Sequence, residues 1–248
     1  MPKHVGVIAH RGLNRRAPEN TMAAFRAAVD AGVDWIETDV DILGDGTPII
    51  CHDSTLDRTT NRRGSYAQLS RADLATIDAG SWFSTQYTGE PMPTLSQLVD
   101  YMNATGLNAN IEVKANERGK AATIQLVEAV VAELARLEPG PRVIISSFSQ
   151  LILRYFLELA PTIPRACLFE TCALYDDWRS VLEILECSYI HPEDAGLTEA
   201  HVERFLHAGY GVNVWTVNEA DRVNQLFHWG VTGVFSDIAD LLPRRAIG

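Results

Sequence analysis

Short β-rich runs alternate with longer helical patterns along this chain, and the alternation limits the folds that the sequence can adopt. About eight strand-helix units in 248 residues match the size of a closed (β/α)8 TIM barrel, which is an α/β fold. A doubly wound open sheet is the alternative, and it usually has fewer strands. The predicted strands are 5–9, 35–42, 110–114, 143–148, 165–169, 188–190, 212–217 and 233–237, and the predicted helices are 19–31, 94–104, 120–137, 151–160, 178–186, 199–208 and 220–229.

One segment, residues 53–93, breaks this alternation. Just before it, the Gly44-Asp45-Gly46 turn predicts a hairpin in which residues 48–51 return along the second strand. Asp, Arg, Thr, Asn and Gly are common in 53–93, and its one helical pattern covers 70–77. We therefore predict one domain over residues 1–248 with an insertion at about 53–93, which is long enough to favour a function for it.

Composition and charge exclude several classes of protein. The chain is 46% hydrophobic and carries a formal charge of -11, which argues against a nucleic acid or an anionic membrane as partner. We expect no signal peptide and no inserted membrane helix, because neither a basic leader nor an apolar run of about 18 residues is present. The four cysteines lack paired metal-ligand spacing, which favours reduced thiols and a cytoplasmic location.

Charged and aromatic side chains stand at the end of nearly every predicted strand. Because the carboxyl ends of barrel strands meet at one mouth, such residues predict a common site. A polar surface turn is the alternative for any one of them taken alone. The residues at or just past the strand ends are His10, Arg11, Glu37, Asp39, Asp41, His52, Glu112, Lys114, Phe148, His191, Trp215 and Asp237.

Three of these residues, Glu37, Asp39 and Glu112, are candidate metal ligands. Side chains alternate along a strand, so the two acids of the Glu37-x-Asp39 pair point the same way. Three carboxylates facing one barrel interior repel each other unless a cation neutralises them, and an all-oxygen set suits one divalent cation, Mg²⁺ or Ca²⁺. The alternative is a salt-bridge cluster in which Lys114 and Arg11 balance the acids directly.

The remaining strand-end residues supply acid-base and binding groups. His10 and His52 come from different strands, and two imidazoles beside a metal could take and give protons near neutral pH. Arg11 and Lys114 could hold phosphate oxygens. Together with the acids they indicate phosphoryl transfer to water or to an internal hydroxyl. The aromatic residues Phe148 and Trp215 are interpreted as apolar pocket walls or, equally, as core.

These residues and their order resemble the glycerophosphodiester phosphodiesterase family from His10 to about Leu242. The similarity rests on His10-Arg11-Gly12, Pro18-Glu19-Asn20-Thr21, Glu37-x-Asp39, His52-Asp53, Glu112-x-Lys114, Ser146-Ser147-Phe148, Trp215-Thr216-Val217-Asn218 and Asp237. Within the family, the Asp78-Ala79-Gly80-Ser81-Trp82 and Asp176-Asp177-Trp178-Arg179 segments are most similar to the cytoplasmic bacterial enzyme associated with glycerol-3-phosphate uptake.

The resemblance implies a (β/α)8 barrel, a divalent cation and hydrolysis of glycerophosphodiesters to sn-glycerol 3-phosphate and an alcohol, through a cyclic phosphate. It also implies a role for each matching residue, with His10 and His52 catalytic, Glu37, Asp39 and Glu112 binding metal, Arg11 and Lys114 binding phosphate, and Phe148 and Trp215 lining the glycerol side of the pocket. Two alternatives stay open, a phosphodiesterase of the lysophospholipase D type and a non-catalytic binder of phosphorylated glycerol compounds.

Overall fold

The computed structural model describes residues 4–242, and within them eight parallel strands close into a barrel. The first strand pairs with both the second and the last, with Ile8 opposite Trp35 on one side and Phe235 on the other. The predicted (β/α)8 TIM barrel is thus confirmed. The strands are β1 Gly6–Ala9, β2 Trp35–Ile42, β3 Pro48–Ile50, β4 Asn108–Val113, β5 Val143–Ser147, β6 Arg165–Phe169, β7 Tyr189–Pro192, β8 Gly211–Val214 and β9 Gly233–Ser236, of which β3 is the antiparallel partner of β2.

Seven α-helices lie in the described residues and cover the outside of the barrel. Thr21, Thr94 and Thr198 cap three of them by accepting a backbone N–H, so these helices begin where the sequence provides a hydroxyl. No α-helix follows β9 before Leu242, the last described residue. The helices are α1 Met22–Asp30, α2 Leu95–Thr105, α3 Gly119–Leu134, α4 Gln150–Leu159, α5 Trp178–Ile184, α6 Glu199–His207 and α7 Ala220–His228.

The apolar core forms a ring between the strands and the helices. Phe25, Phe156 and Phe205 point from α1, α4 and α6 onto the barrel and are almost completely buried. A smaller cluster, which includes Ile8 and Trp35, fills the barrel interior. Because both faces of the strands are covered, polar side chains inside the barrel need specific partners. None of the helices within residues 4–242 is long and apolar enough to cross a membrane.

The insertion after β3 packs as a small layer of its own. It contains two 3-10 helices, Arg71–Thr76 and Thr85–Tyr87, where the sequence predicted a helical segment at 70–77. Its apolar residues, such as Leu56 and Tyr66, form a cluster separate from the main core. Tyr87 donates a hydrogen bond to the backbone carbonyl of Arg16 at 2.8 Å, so the insertion lies against the loop between β1 and α1.

Two predictions concern the end of a strand and the bounds of the domain. Strand β7 continues to Pro192, two residues past the predicted end, so His191 lies inside a strand and not beyond it. The prediction of one domain over residues 1–248 stays a prediction, since 1–3 and 243–248 lie outside the described residues.

Candidate active site

The predicted site residues converge on one cavity of about 430 Å³ at the carboxyl ends of the strands. Asp39 is the one exception among them, because it lies next to the cavity residues but is only 1% exposed. The structure therefore brings side chains from both halves of the chain to one rim. The predicted residues that line the cavity are His10, Arg11, Glu37, His52, Glu112, Lys114, Phe148 and Trp215.

A tight turn after β1 places His10 and Arg11. Arg11 has a φ of +55°, a left-handed conformation that is strained for a residue with a side chain. In this conformation the Arg11 backbone N–H donates to Glu37 Oε2 at 2.9 Å. Gly12 follows with a φ of +77°, so two consecutive residues have left-handed backbone conformations. The chain therefore changes direction directly beside Glu37.

Replacing Gly12 by alanine tests how tightly this turn is packed. A Cβ atom at Gly12 would lie 2.7 Å from the Cβ of Ala24 and 2.9 Å from its carbonyl carbon. Together with the positive φ, this clash should lower the free energy of unfolding by about 1–3 kcal/mol. Urea denaturation followed by circular dichroism measures the change. Gly64→Ala is the control, because Gly64 has a similar φ of +85° and no atom within 4 Å of an added Cβ.

Three acidic side chains form the centre of the site. Glu37, Asp39 and Glu112 each offer an oxygen within 4.8 Å of the others. Burial and the charge of Asp39 raise the pKa of Glu37 to about 8, and burial with the same charge also raises the pKa of Glu112. Burial alone would raise the pKa of Asp39 too, but Lys114 and Arg11 hold it below its ordinary value. The raised pKa of Glu37 means that this carboxyl keeps its proton near pH 7 unless a further cation binds beside it.

The two cations of the site reach only part of this cluster. Lys114 Nζ donates to Glu112 Oε1 at 2.8 Å and lies 3.4 Å from Asp39 Oδ1, while Arg11 Nε lies 3.6 Å from Asp39 Oδ2. Glu37 pairs with neither side chain, and it contacts the Arg11 backbone N–H at 2.9 Å and His10 Nε2 at 3.9 Å. In a salt-bridge cluster the charge of Glu37 would therefore be balanced only by His10 in its protonated form. The three oxygens fit a hard divalent cation, which would supply the missing charge.

His10 is held by a carboxylate on its far nitrogen. Its Nδ1 donates to Asp237 Oδ1 at 2.7 Å, which leaves Nε2 on the side of Glu37. Burial lowers the pKa of His10, but the bond to Asp237 and the charge of Glu37 outweigh it, so the pKa is raised above its ordinary value. Asn218 holds the second oxygen of Asp237 at 2.7 Å, and the imidazole is therefore fixed in orientation.

His52 has the same arrangement with Asp53, the next residue along the chain. Its Nδ1 donates to Asp53 Oδ1 at 2.7 Å. Burial lowers the pKa of His52, and Arg11 and Lys114 lower it further against the opposing charge of Asp39. Hydrogen bonds from Arg58 lower the pKa of Asp53 itself to about 2. The two histidines therefore differ in the direction in which their pKa values are shifted.

Aromatic side chains form the opposite half of the rim. The rings of Phe148 and Trp215 meet edge to face with centroids 5.6 Å apart, and Leu168 of β6 lines the cavity beside them. Phe148 is 42% exposed, so it belongs to the cavity wall and not to the core. Trp215 Nε1 donates to the backbone carbonyl of His191 at 2.8 Å, which fixes the indole against the wall.

His191 and Asp41, two further strand-end residues, lie outside the cavity lining. His191 is fully buried on β7, with its Nε2 accepting from Asn213 Nδ2 at 2.9 Å and its ring packed against Phe235. Asp41 accepts a hydrogen bond from Tyr66 of the insertion at 2.6 Å and pairs with Arg118. Asp41 therefore anchors the insertion to the barrel.

The buried His191 predicts a pH dependence of stability. Burial lowers its pKa to about 3, so the folded state binds no proton there between pH 3 and the unfolded value near 6.5. The unfolded state does bind one, so stability falls as the pH falls through that window, by about 2 kcal/mol between pH 7.5 and pH 5. We expect His191→Gln to lose less stability than the parent chain over this interval in urea denaturation. An equal loss in both proteins would contradict the assignment.

The residues that orient the site residues stood in the sequence motifs, but the sequence did not predict their contacts. Asp53 and Asp237 fix the histidines, and Asn20 donates to Asp39 Oδ2 at 2.9 Å from a left-handed φ of +55°. The signal for Asp53 was its place next to His52, and Asp237 already stood in the strand-end pattern. Asn20 stood in the Pro18-Glu19-Asn20-Thr21 motif, but it precedes a helix, where asparagine is ordinary, so the sequence did not indicate its contact with Asp39.

The chain is similar in sequence and fold to proteins of one family. Residues 10–241 match the glycerophosphoryl diester phosphodiesterase family. The chain is 32% identical to a glycerophosphodiester phosphodiesterase of Caldanaerobacter subterraneus over 95% of both chains. It is 31% identical to one of Bacillus subtilis, over 98% of this chain and 87% of the relative. A solved phosphodiesterase of Oleispira antarctica, in complex with the product sn-glycerol-3-phosphate, superposes with a TM-score of 0.90 at 31% identity, over 98% of this chain and 95% of that one.

Proposed function

The chain belongs to the glycerophosphoryl diester phosphodiesterase family, and from that premise we propose that it hydrolyses glycerophosphodiesters to sn-glycerol 3-phosphate and an alcohol. The Oleispira antarctica relative binds sn-glycerol 3-phosphate as its product, which supports a small molecule of this kind as the ligand here. The substrates that we propose are glycerophosphocholine and glycerophosphoethanolamine.

One observation carries the proposal further. Two histidines, each fixed by an aspartate on Nδ1, line the same cavity as three clustered carboxylates and two cations. A binding protein for phosphorylated glycerol compounds needs the cations, but it gains nothing from two oriented imidazoles. Acid-base chemistry at a phosphorus atom needs both imidazoles, because one proton is removed and another is delivered.

The opposite directions of the two histidine pKa shifts support a division of roles. His52, whose pKa is lowered, is neutral near pH 7 and takes the proton from a glycerol hydroxyl that attacks phosphorus. His10, whose pKa is raised, gives its proton to the alcohol oxygen as the bond from phosphorus to that oxygen breaks. The product of this step is a cyclic glycerol phosphate. In the second step the roles of the histidines reverse. His10 takes a proton from water, and His52 returns one to the glycerol hydroxyl as the ring opens.

The charged groups of the cavity bind the phosphate. Arg11 and Lys114 can donate to phosphate oxygens, and both stay protonated because the acids around them raise their pKa values despite burial. Glu37, Asp39 and Glu112 would hold one divalent cation, Mg²⁺ or Ca²⁺. When bound, that cation would stabilise negative charge that develops on the phosphoryl oxygens. Phe148 and Trp215 would pack against the carbon atoms of the glycerol.

A location in the cytoplasm, with a link to glycerol-3-phosphate uptake, belongs to the same proposal. It is supported by the similarity of Asp78-Ala79-Gly80-Ser81-Trp82 and Asp176-Asp177-Trp178-Arg179 to the cytoplasmic bacterial enzyme. No nucleic acid is proposed as a partner, because the formal charge is -11.

A substrate panel tests the proposed activity. The protein is incubated with glycerophosphocholine, glycerophosphoethanolamine and lysophosphatidylcholine, and sn-glycerol 3-phosphate or the lysophosphatidate is measured. We expect turnover of both glycerophosphodiesters and a lower rate with lysophosphatidylcholine. Faster turnover of the lysolipid would assign the lysophospholipase D activity instead. Tight binding of the diesters with no product would assign a binding protein.

A further inference from the structure

Arg58, in the insertion, binds two carboxylates at once. Its Nε and Nη2 donate to the two oxygens of Asp53 at 2.7 and 3.0 Å, and its Nη1 and Nη2 donate to the two oxygens of Glu19 at 2.8 Å each. Both edges of the planar guanidinium are therefore occupied in paired geometry. Such forked contacts fix orientation as well as distance.

Each of these carboxylates also holds a residue that lines the cavity. Asp53 accepts from His52 Nδ1 at 2.7 Å, and Glu19 accepts from Arg11 Nη1 at 2.8 Å. A continuous chain of hydrogen bonds thus runs from His52 through Asp53, Arg58 and Glu19 to Arg11. It connects the proposed base with a proposed phosphate ligand.

The residues of this hydrogen-bond chain come from two separate connections, one between β1 and α1 and the other between β3 and α2. Arg11 and Glu19 belong to the loop between β1 and α1, His52 and Asp53 follow β3, and Arg58 lies in the insertion. Loops move more than the strands that carry them, so two catalytic groups on separate loops need a link to keep a fixed separation. A misplacement of about 1 Å can cost about 10²-fold in rate.

We propose that Arg58 is a positioning residue, which fixes the His52 imidazole relative to the Arg11 guanidinium and thereby gives the insertion a role in the reaction. Arg58 does not line the cavity, so it acts through Asp53 and Glu19. The inference rests on the proposed function. The positioning role goes beyond that function, since it concerns how the catalytic groups are oriented and not which substrate is hydrolysed.

Three variants separate this role from a general structural one. Arg58→Ala removes all four hydrogen bonds, and Arg58→Lys retains the charge but cannot form two forks. Arg26→Ala is the matched control, because Arg26 joins α1 to Glu90 of the insertion through an ion pair of 3.3 Å away from the cavity. The side chains of Arg58 and Arg26 are similarly exposed, at 43% and 52%.

The kinetic readout is the split between kcat and KM for glycerophosphocholine. Loss of a residue that orients such a site typically costs about 10- to 100-fold in activity, and we expect that loss in the kcat of Arg58→Ala, with a smaller change in KM. Arg58→Lys should recover only part of the rate. Arg26→Ala should retain the parental kcat. Added guanidinium ion, at concentrations below those that unfold the protein, should raise the kcat of Arg58→Ala and of neither Arg26→Ala nor His52→Ala.

A second measurement needs no turnover. Long-range ¹H-¹⁵N spectra report which nitrogen of His52 carries the proton, and His52→Ala identifies the signal. We expect the Nδ1-protonated form in the parent chain and in Arg26→Ala, and a mixture of tautomers or a broadened signal in Arg58→Ala.

The outcomes separate the two ideas. An active parent chain with unchanged kcat in Arg58→Ala overturns the positioning role and leaves the proposed function intact. A parent chain that hydrolyses no diester overturns the proposed function, and the His52 spectra then decide the positioning role alone. Identical His52 signals in the parent chain and Arg58→Ala overturn it in either case.

Discussion

Replacing either histidine of the cavity by alanine lowers kcat for glycerophosphocholine by about 10²- to 10⁴-fold. The reason is that each imidazole moves one proton in each half of the reaction, and no neighbouring group can replace it. His10 lies within 3.9 Å of the carboxylate cluster through Nε2, and His52 is bound to Asp53 through Nδ1. Steady-state release of sn-glycerol 3-phosphate measures the loss.

Two histidines on the outside of the barrel serve as controls for this experiment. His201 and His207 lie on α6, and neither lines the cavity. Alanine at either position should leave kcat within about twofold of the parent value, as is usual for surface substitutions. Undiminished turnover in His10→Ala or His52→Ala would remove the catalytic assignment of that residue.

We expect removal of divalent cations to abolish activity and addition of Mg²⁺ or Ca²⁺ to restore it. The carboxylates of Glu37, Asp39 and Glu112 repel each other when all three are ionised, and neither Lys114 nor Arg11 pairs with Glu37 through its side chain, so a bound cation would allow Glu37 to lose its proton. Such binding also stabilises the fold, by about 2.7 kcal/mol when the free cation is at 100 times its Kd. The thermal midpoint of unfolding, measured with and without each cation, reports this effect independently of turnover.

A pair of variants localises the cation. Glu112→Gln keeps the shape of the side chain but removes one charged ligand, so the rise of the thermal midpoint on cation addition should shrink or vanish. Glu183→Gln removes a carboxylate that pairs with Arg179 on the surface of α5, and its response should equal that of the parent chain. An equal response in both variants would place the cation elsewhere and favour the salt-bridge interpretation of the cluster.

The sequence alone was sufficient to predict the barrel, because strands buried on both faces leave a clear pattern. Residues 35–42 match β2, whose eight residues are all buried, and the Gly44-Asp45-Gly46 turn correctly predicted the antiparallel β3. The pattern of polar and apolar residues was less informative where a polar residue is buried by hydrogen bonding in the folded protein. His191 was placed at a strand end because histidine is polar, but hydrogen bonding by Asn213 allows it to be buried within β7.

The positions of the site residues were also predictable, since strand direction and alternation decide where side chains of parallel strands meet. The contacts that orient them were not. Asp237 lies 227 residues from His10 in the chain, and Arg58 lies 39 residues from Glu19, so no local pattern links either pair. Arg58 stands in a polar loop where arginine is ordinary. Such contacts depend on how the loops of different strand-helix units pack over the barrel. The hydrophobic periodicity of the sequence carries no information on that packing.

The most direct test of the account is a ³¹P NMR time course of glycerophosphocholine with metal-stripped protein, before and after addition of Ca²⁺ or Mg²⁺. We predict no change before addition and, after it, replacement of the diester signal by that of sn-glycerol 3-phosphate, with the signal of a cyclic phosphate visible early if ring opening is slow. Equal turnover by the stripped protein, or choline phosphate as the product, would contradict the proposal that these histidines and carboxylates act together on one phosphorus atom.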